Sequence, residues 1–269
     1  MPTRSRTWTR KTFRKVSGWL VYQYRVARRT VITIEGVRLR VGRHMSRRVV
    51  RALSKGGYER AELRLLNALL SPSDIVLEIG AGLGLVSAYC AKRIGSDRVY
   101  ACEADPDLEP CIRETHQLNG VEPTLEMCAV GPHAGRVTLL RNKHLVSTSV
   151  VRRRVGVQPV EVPGKALNYL VGKIRPTLLI VGAEGARQEL FDGADLPSVT
   201  RVVLELHDLV IGPAGTDRIR EQLSGIGFEV EQRLSSYEHL VLMKRSRPEP
   251  EPERTARRPK SQNATASLR

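Results

Sequence analysis

The feature that most constrains the fold of this chain is a run of closely spaced glycines behind an apolar stretch. Residues 76–87 read VLEIGAGLGLVS and contain three glycines at alternate positions, Gly80, Gly82 and Gly84. A short apolar run, a glycine-rich turn and a second apolar run predict a buried strand, a tight turn and a helix. Dinucleotide-binding turns carry their third glycine five residues after the first, and Leu85 occupies that place here. The spacing therefore argues against a dinucleotide site.

Strand and helix patterns alternate after this turn, which predicts an α/β domain with a mostly parallel sheet. The strand candidates are the short Val/Ile/Leu-rich runs 75–79, 99–102, 125–130, 178–181 and 202–206. The helix candidates between them are 85–93, 108–119, 186–191 and 217–226. FEVEQRL and HLVLMK, joined by residues 235–238, then predict a terminal hairpin. RVTLLRN and VQPVEVP predict two further strands, and the basic segment 143–154 between them is a candidate substrate-side loop.

Two acids frame the glycine turn. Glu78 precedes it, and this E/D-x-G-x-G-x-G pattern resembles the first motif of S-adenosylmethionine-dependent methyltransferases. That cofactor has no pyrophosphate, so the turn need only bring backbone close to it, which glycine permits. Glu103 ends the next predicted strand, where a carboxylate suits two ribose hydroxyls. Asp105 is the competing ribose ligand, and the alternative is a solvated Glu103 beside glycines that only make a tight turn.

Positive charge is concentrated at the N-terminus. The net charge is +16, and residues 1–55 contain sixteen Lys and Arg against a single acid, Glu35. Trp and Tyr residues are interspersed among the arginines of residues 1–30. This basic extension suits an anionic partner, either a membrane surface or nucleic acid. The alternative is a partly ordered, solvated extension.

Four regions are expected along the chain. They are a basic extension over 1–30, a hairpin and helices over 31–72, the cofactor-binding domain over 73–245 and a Pro- and Glu-rich disordered tail over 246–269. TVITIEGVRLRVG at 30–42 predicts the hairpin, and residues 45–70 predict two helices broken by Gly56 and Gly57.

The composition narrows the class of protein. No run reaches the roughly 18 apolar residues of a membrane span, and no secretory signal is evident, so a cytoplasmic protein is expected. The four cysteines form no C-x-x-C pair and have no His at metal-ligand spacing. We expect buried free thiols and no metal site. Oligomeric state does not follow from the sequence.

Longer segments carry a family resemblance. ITIEGVRLRV, GGYERAE, VLEIGAGLG, CEADPDLEPCIRETHQLN, LLIVGAEGARQELFDGAD and RVVLELH occur in the order seen in FkbM-type methyltransferases, and the resemblance covers about 31–244. It implies the Rossmann-like class I methyltransferase fold, with a seven-stranded, mostly parallel sheet, an antiparallel last strand and flanking helices. It also implies S-adenosylmethionine as cofactor and O-methylation of hydroxyls on sugars, glycolipids or polyketides.

The chain departs from the family pattern at two positions. The fourth strand of the family usually ends in Asp-x-Glu-Gly, whereas this chain has Gly182 at the position of the Asp. The Leu-Asp that commonly follows the Val-x-Val-Pro strand appears here with Asn168 in place of the Asp. The acid missing at Gly182 lies where the resemblance places the methyl-donor site, so its loss puts catalysis in doubt and leaves the fold untouched. At position 168 an amide replaces a second acid.

Orientation supplies most of the acceleration in methyl transfer, and a general base adds to it. The candidate bases are Glu184, after the fourth strand, and Glu205 and His207, after the fifth, at the edge where open α/β sheets bind ligands. The structural alternatives are an acid at the start of a helix for Glu184 and a strand-end histidine for His207. Tyr58 and Glu59 are candidates to close over the methionine end of the cofactor, although GGYE also suits an ordinary helix break.

Three functions follow from these patterns. The first is O-methylation of a hydroxyl on a sugar, glycolipid or other small metabolite. The second is an RNA methyltransferase tethered by the basic N-terminus. The third is a methyltransferase-like binding protein that has lost catalysis, for which Gly182 and Asn168 are the only support.

Overall fold

A computed structural model describes residues 22–42, 45–141, 158–182, 189–206 and 212–245. The N-terminal part has helical residues 22–27, a hairpin of β1 (Val31–Ile34) and β2 (Val37–Arg40), and helices α1 (Arg47–Ser54) and α2 (Arg60–Leu69). The first alternating units are β3 (Val76–Ile79), α3 (Leu85–Ile94), β4 (Val99–Glu103), α4 (Glu109–Asn119) and β5 (Thr124–Met127). Short 3-10 helices, Ser96–Arg98 and Pro106–Leu108, precede β4 and α4.

The second half adds an insertion and completes the alternation. The insertion comprises β6 (Ala129–Gly131), β7 (Gly135–Arg141) and β8 (Gln158–Ala166). After it come α5 (Leu167–Ile174), β9 (Leu178–Val181), β10 (Arg201–Glu205), α6 (Gly212–Gly225), β11 (Phe228–Val230) and β12 (His239–Lys244).

Seven strands form the main sheet, in the order β11-β12-β10-β9-β3-β4-β5. Neighbouring strands from β10 to β5 run parallel, and β12 is antiparallel to both β10 and β11. The expected mostly parallel sheet with an antiparallel last strand is therefore confirmed, and the architecture is Rossmann-like. The strand order reverses between β3 and β9, so the carboxyl ends of these strands form the crevice where such sheets bind ligands.

The two faces of the sheet are covered by different elements. One face of the sheet packs against the hairpin and against α1 to α4. The strand residues on this face include Val76, Ala101, Ile180 and Val203. The other face packs on α5, α6 and the chain near residues 190–199. Because side chains alternate along a strand, Glu78, Glu103 and Glu205 all belong to the first face. Three glutamates thus lie on the same face near the carboxyl ends of β3, β4 and β10.

The predicted N-terminal hairpin is confirmed, and it docks on α4. Glu35 and Gly36 form its turn, with positive φ angles of 45° and 83°. Asn119, the last residue of α4, accepts a hydrogen bond from the Arg38 backbone N–H at 2.8 Å and donates to the Arg38 carbonyl at 2.7 Å. Arg40 forms an ion pair with Glu114 at 2.7 Å. The end of α4 therefore extends the hydrogen bonding of β2.

Asp74 ties the amino ends of three strands together. The side chain is buried, and its carboxylate forms an ion pair with Arg201 at the start of β10. It also accepts hydrogen bonds from the Thr177 hydroxyl, ahead of β9, and from the Ser71 backbone N–H, each at 2.7 Å. Arg201 in turn donates to the Leu69 carbonyl at 2.7 Å. This cluster lies at the end of the sheet opposite the crevice.

Some predicted elements differ from the structure. The run 125–130 is not one strand, because Cys128 separates β5 in the main sheet from β6, which pairs with β8 in a three-stranded sheet. The helix expected over 217–226 begins earlier, at Gly212. Of the helix expected over 186–191, only residues 189–191 are described, and they lie in turns. The loop 143–154 and the tail 246–269 lie outside the described residues.

Cys90, Cys102 and Cys128 are buried free thiols, and Cys111 is half-buried. Within the described segments, every helix is too short or too polar to traverse a lipid bilayer.

Candidate functional site

The glycine turn wraps over the end of β4. The backbone N–H groups of Gly80 and Ala81 both donate to the Cys102 carbonyl, at 2.8 and 3.1 Å. Gly80, Gly82 and Gly84 have φ angles of 88°, 55° and 71°, in the region that favours glycine. A side chain placed at Gly82 would meet no atom within 4 Å, so its Cα faces open space at the crevice. The turn therefore leaves the Gly82 backbone open to the crevice, and its contact with a cofactor stays a prediction.

Gly84 serves a different purpose from Gly82. A Cβ added there would lie 2.9 Å from the Ile112 side chain and 3.2 Å from the Ile112 Cα. The missing side chain at Gly84 thus lets α3 and α4 approach closely. Packing alone explains why glycine is required here, and contact of Gly84 with a cofactor stays a prediction.

Glu103 lies where the sequence predicts, at the last position of β4. Its Oε2 accepts a hydrogen bond from the Gly82 N–H and its Oε1 accepts one from the Asp105 N–H, both at 2.8 Å. Each oxygen keeps a lone pair for a further donor. Burial raises the pKa of Glu103, and these two backbone N–H groups oppose the rise. Asp105, the competing candidate, accepts a hydrogen bond from the Asp107 N–H, as a cap of the short helix after β4.

Glu78 is the least satisfied carboxyl group of the site. The residue is only 3% exposed, and no hydrogen-bond partner for its Oε2 is found in the described segments. Burial raises the pKa of Glu78 to about 8, with further contributions from the nearby carboxylates of Glu59 and Glu103. Hydrogen bonds from Ser87 act in the opposite direction. A buried, orphaned carboxyl oxygen of this kind marks a position for a donor that the protein itself does not supply.

The Ser87 hydroxyl connects Glu78 to His116, a residue that the sequence analysis misses. His116 Nε2 lies 2.9 Å from Ser87 Oγ, and both side chains are buried. Burial lowers the pKa of His116 to about 4, so the ring is neutral at pH 7. The contact depends on the approach of α3 and α4 at Gly84, which no local pattern reveals.

Tyr58 and Glu59 lie at the entrance to α2. Tyr58 is buried, and Glu59 precedes α2 with a φ of 48°, which is uncommon for a residue other than glycine. The carboxylate of Glu59 is close enough to Glu78 to raise the pKa of that group. The structure thus brings Glu59 to the glycine turn, and its contact with a cofactor stays a prediction.

One of the three candidate bases can be placed. Glu205 ends β10, on the same face as Glu78, and pairs in register with the buried His239 of β12. Two strand spacings, about 10 Å, separate the axes of β10 and β3. The other two candidates, Glu184 and His207, lie outside the described residues.

The two departures from the family pattern have structural explanations. A Cβ at Gly182 would lie 3.0 Å from the Gly80 carbonyl oxygen, so the end of β9 packs tightly against the glycine turn. The Asn168 amide donates to the Gly193 carbonyl and accepts from the Asp195 N–H, both at 2.9 Å. A carboxylate at position 168 could not donate the first of these bonds.

The residues of the turn fit S-adenosylmethionine. Its ammonium and sulfonium are cationic, and the carboxyl groups of Glu59, Glu78 and Glu103 lie near one another beside the turn. Glu103 has lone pairs for the two ribose hydroxyls, and the orphaned oxygen of Glu78 suits an ammonium donor. The absence of a side chain at Gly82 leaves room for the cofactor to contact the protein backbone.

Similarity to curated proteins is local. Over 61 residues the chain is 43% identical to the probable ribosomal RNA small subunit methyltransferase A of Thermococcus onnurineus, covering 23% of this chain and 22% of that protein. Over 73 residues it is 41% identical to methyltransferase HEMK2 of Mus musculus, covering 24% of this chain and 34% of that protein. The chain spans between a fifth and about a third of the length of these relatives. No family model matches the chain, so the FkbM resemblance stays a prediction.

Solved structures with related folds include further methyltransferases. Precorrin-6y C5,15-methyltransferase from Geobacter metallireducens is 16% identical, with a TM-score of 0.43 over 70% of this chain and 88% of that one. The Pyrococcus abyssi tRNA (uracil-54, C5)-methyltransferase in complex with S-adenosyl-L-homocysteine is 12% identical, with a TM-score of 0.46 over 80% and 43% of the two chains. The seven-stranded, mostly parallel sheet with its antiparallel β12 is the class I methyltransferase fold that the sequence resemblance implies. The local matches to methyltransferases support S-adenosylmethionine as its cofactor.

Proposed function

From the class I methyltransferase fold of this chain, we propose that it transfers a methyl group from S-adenosylmethionine to a hydroxyl of a sugar, glycolipid or other small metabolite. The observation that carries the methyl-transfer part is the buried Oε2 of Glu78, which has no hydrogen-bond partner among the described residues and lies beside the open glycine turn. The choice of a hydroxyl acceptor is supported by the sequence resemblance alone.

The proposed roles follow from the positions of the carboxyl groups. Glu103 accepts hydrogen bonds from the ribose hydroxyls, and Glu78 accepts one from the ammonium of the methionine part. The Gly80–Gly82 backbone lies against the cofactor. Fixing the donor in this way orients its methyl group toward the crevice, and orientation is the main source of acceleration in such a displacement.

When bound, S-adenosylmethionine supplies a methyl group already activated by its sulfonium. The residues of the crevice would hold the acceptor hydroxyl in line with that methyl group and a base among them would take its proton, while the leaving thioether would keep the electron pair of the carbon–sulfur bond. Glu205 is the described candidate for that base, since it shares the face of Glu78 at the carboxyl edge of the sheet. Glu184 and His207 remain candidates on their sequence positions.

Calorimetry with S-adenosylmethionine tests the cofactor site. We expect wild-type protein to bind and Glu103→Gln to lose about tenfold to a hundredfold in affinity, because one acceptor for the ribose is weakened. Glu122→Gln is the matched control, since Glu122 is an exposed glutamate away from the turn. A wild-type protein that binds no cofactor, or equal affinities for the two variants, would contradict the proposal.

The acceptor is tested separately. Glycans and lipids from a strain that lacks the protein are compared by mass spectrometry with those of the parent strain. We expect a species lighter by the mass of one CH₂ group, restored by wild-type protein and restored less by Glu205→Gln. A deletion strain with unchanged glycans, lipids and small metabolites would contradict a hydroxyl acceptor of this class.

A further inference from the structure

An exposed basic face lies next to the candidate site. We define the arginine–tyrosine face as Tyr24, Arg28, Arg47, Arg48, Arg51 and Lys55, all of which are exposed. Helix α1 contributes no acid in its first turn. The acids nearest in sequence are Glu59 and Glu35, and Glu35 is already paired with Arg60 at 2.8 Å. The charge of this face is therefore not neutralised by neighbouring acids in the described part of the chain.

Tyrosine rings and arginines are paired on this face. The Arg28 guanidinium lies 5.2 Å from the centre of the Tyr24 ring, and that of Arg47 lies 5.8 Å from the Tyr22 ring. The Tyr22 hydroxyl also donates to the Met45 carbonyl at 3.1 Å, which attaches the helical residues 22–27 to the start of α1. Tyr24 remains 59% exposed, so its ring offers a free surface for stacking.

The chemistry of the face favours a polyanion with stackable groups over a lipid surface. A helix that binds by lying in a membrane needs a free apolar side. The apolar side of α1 is not free, because Val49, Val50 and Leu53 are at most 2% exposed in the core. What remains outside is a set of guanidinium groups, which bind phosphates bidentately, and an exposed aromatic ring, which stacks on bases.

The position of the face links it to the cofactor turn. Lys55 ends the face and Glu59 lies near Glu78, so at most about 14 Å of chain separates the two. We propose that the arginine–tyrosine face binds single-stranded RNA, with backbone phosphates on the arginines of α1 and a base stacked on Tyr24. The inference goes beyond the proposed function, because this binding requires neither cofactor nor methyl transfer.

Fluorescence anisotropy with a labelled, mixed-sequence RNA of about 12 nucleotides tests the phosphate contacts. The full chain is compared with the triple variant Arg47→Gln, Arg48→Gln, Arg51→Gln over a salt series. We expect at least a tenfold loss of affinity at low salt and a slope of log affinity against log salt that is smaller by about 2, at roughly 0.7 per lost phosphate contact. The matched control removes the same charge on the other side of the sheet, by Lys173→Gln, Arg218→Gln, Arg220→Gln.

Substitutions at Tyr24 test the proposed stacking contact. Tyr24→Leu should weaken RNA binding by about fivefold or more, whereas Tyr24→Phe should retain it, because stacking needs the ring and not the hydroxyl. Equal affinities for these two variants would overturn the stacking role. Equal affinity and salt slope for the two triple variants would overturn the phosphate role.

A lipid partner and a failed cofactor site are distinguished by further measurements. Binding to vesicles that contain anionic phosphatidylglycerol, without binding to the RNA, would replace the proposal with a lipid surface. Calorimetry with S-adenosylmethionine should give wild-type affinity for both triple variants, with circular dichroism as the check on folding. Failure of the methyl-transfer proposal therefore appears in calorimetry, and failure of the RNA inference appears in anisotropy.

Discussion

At the scale of single residues, Gly82 and Gly84 share a left-handed backbone but face different surroundings. Alanine at either position costs about 1 kcal/mol in backbone strain. At Gly84 the added methyl group also collides with Ile112, so Gly84→Ala should lower the free energy of unfolding by about 1–3 kcal/mol more than Gly82→Ala. Denaturant unfolding of both variants measures the difference.

Cofactor affinity, unlike stability, should be lowered more by Gly82→Ala than by Gly84→Ala. Gly82→Ala places a methyl group in the open crevice and should weaken S-adenosylmethionine binding in calorimetry. If Gly82→Ala proved the less stable variant, or bound cofactor as well as wild type, the division of roles between the two glycines would be wrong.

The raised pKa of Glu78 predicts that stability and cofactor affinity change in opposite directions with pH. Since its pKa is raised to about 8, the folded protein holds a proton that the unfolded chain has already released, and the free energy of unfolding falls as pH rises toward 8. The slope reaches up to about 1.4 kcal/mol per pH unit. His116, with its pKa lowered to about 4, contributes a slope of opposite sign that fades as pH rises above about 6.5, so Glu78 dominates over His116 toward pH 8.

Affinity for the cationic cofactor should rise across the same window, because the carboxylate of Glu78 attracts the ammonium and the carboxylic acid does not. Calorimetry and denaturant unfolding at several pH values check both trends. Glu78→Gln should flatten both, while the exposed-site control Glu122→Gln should keep them. A steep pH dependence that persists in Glu78→Gln would assign the effect to another group.

The sequence predicts the positions of these residues in the fold where the signal is local. The glycines and Glu103 follow from spacing along one strand–turn–helix unit and the next strand. His116 and the tight contact at Gly182 do not, since both depend on how closely separate elements approach. The loss of an acid at Gly182 looks like a catalytic defect in sequence, whereas in the fold it accommodates the Gly80 carbonyl.

At the scale of elements, Asn119 joins the N-terminal hairpin to α4. Because its amide makes two hydrogen bonds with the Arg38 backbone, Asn119→Ala should lower the free energy of unfolding by about 1–2 kcal/mol. Hydrogen exchange should show faster exchange of the β1 and β2 amides. Gln117→Ala, an exposed change on the same helix, is the control and should leave the hairpin protected.

Strands were more predictable than element boundaries. Buried Val/Ile/Leu runs mark β3, β4, β9 and β10 to within a residue or two, because both faces of these strands are covered. The start of α6 was missed, since Gly212, Pro213 and Gly215 look like a loop in sequence although Pro is tolerated in the first helical turn. The division at Cys128 was missed because apolar residues on both sides satisfy the same strand pattern.

At the scale of the whole molecule, stability and ligand binding depend on opposite ends of the sheet. Asp74→Asn leaves the partly buried Arg201 guanidinium without its charged partner, which should cost about 3 kcal/mol of unfolding free energy. The affinity for S-adenosylmethionine should stay at the wild-type value, because Asp74 lies at the amino ends of the strands. Thermal unfolding and calorimetry measure the two effects, and the exposed Asp217→Asn serves as control.

The edges of the main sheet have a further consequence, for self-association. An open edge strand offers unpaired backbone on which another chain can add a strand, and proteins guard against this with short, charged edges. The edge strand β11 is three residues long, and its Glu229 forms an ion pair with Arg245 at 2.6 Å. So short and charged an edge gives little template for strand addition, and β11 should resist the edge-to-edge pairing that leads to aggregation.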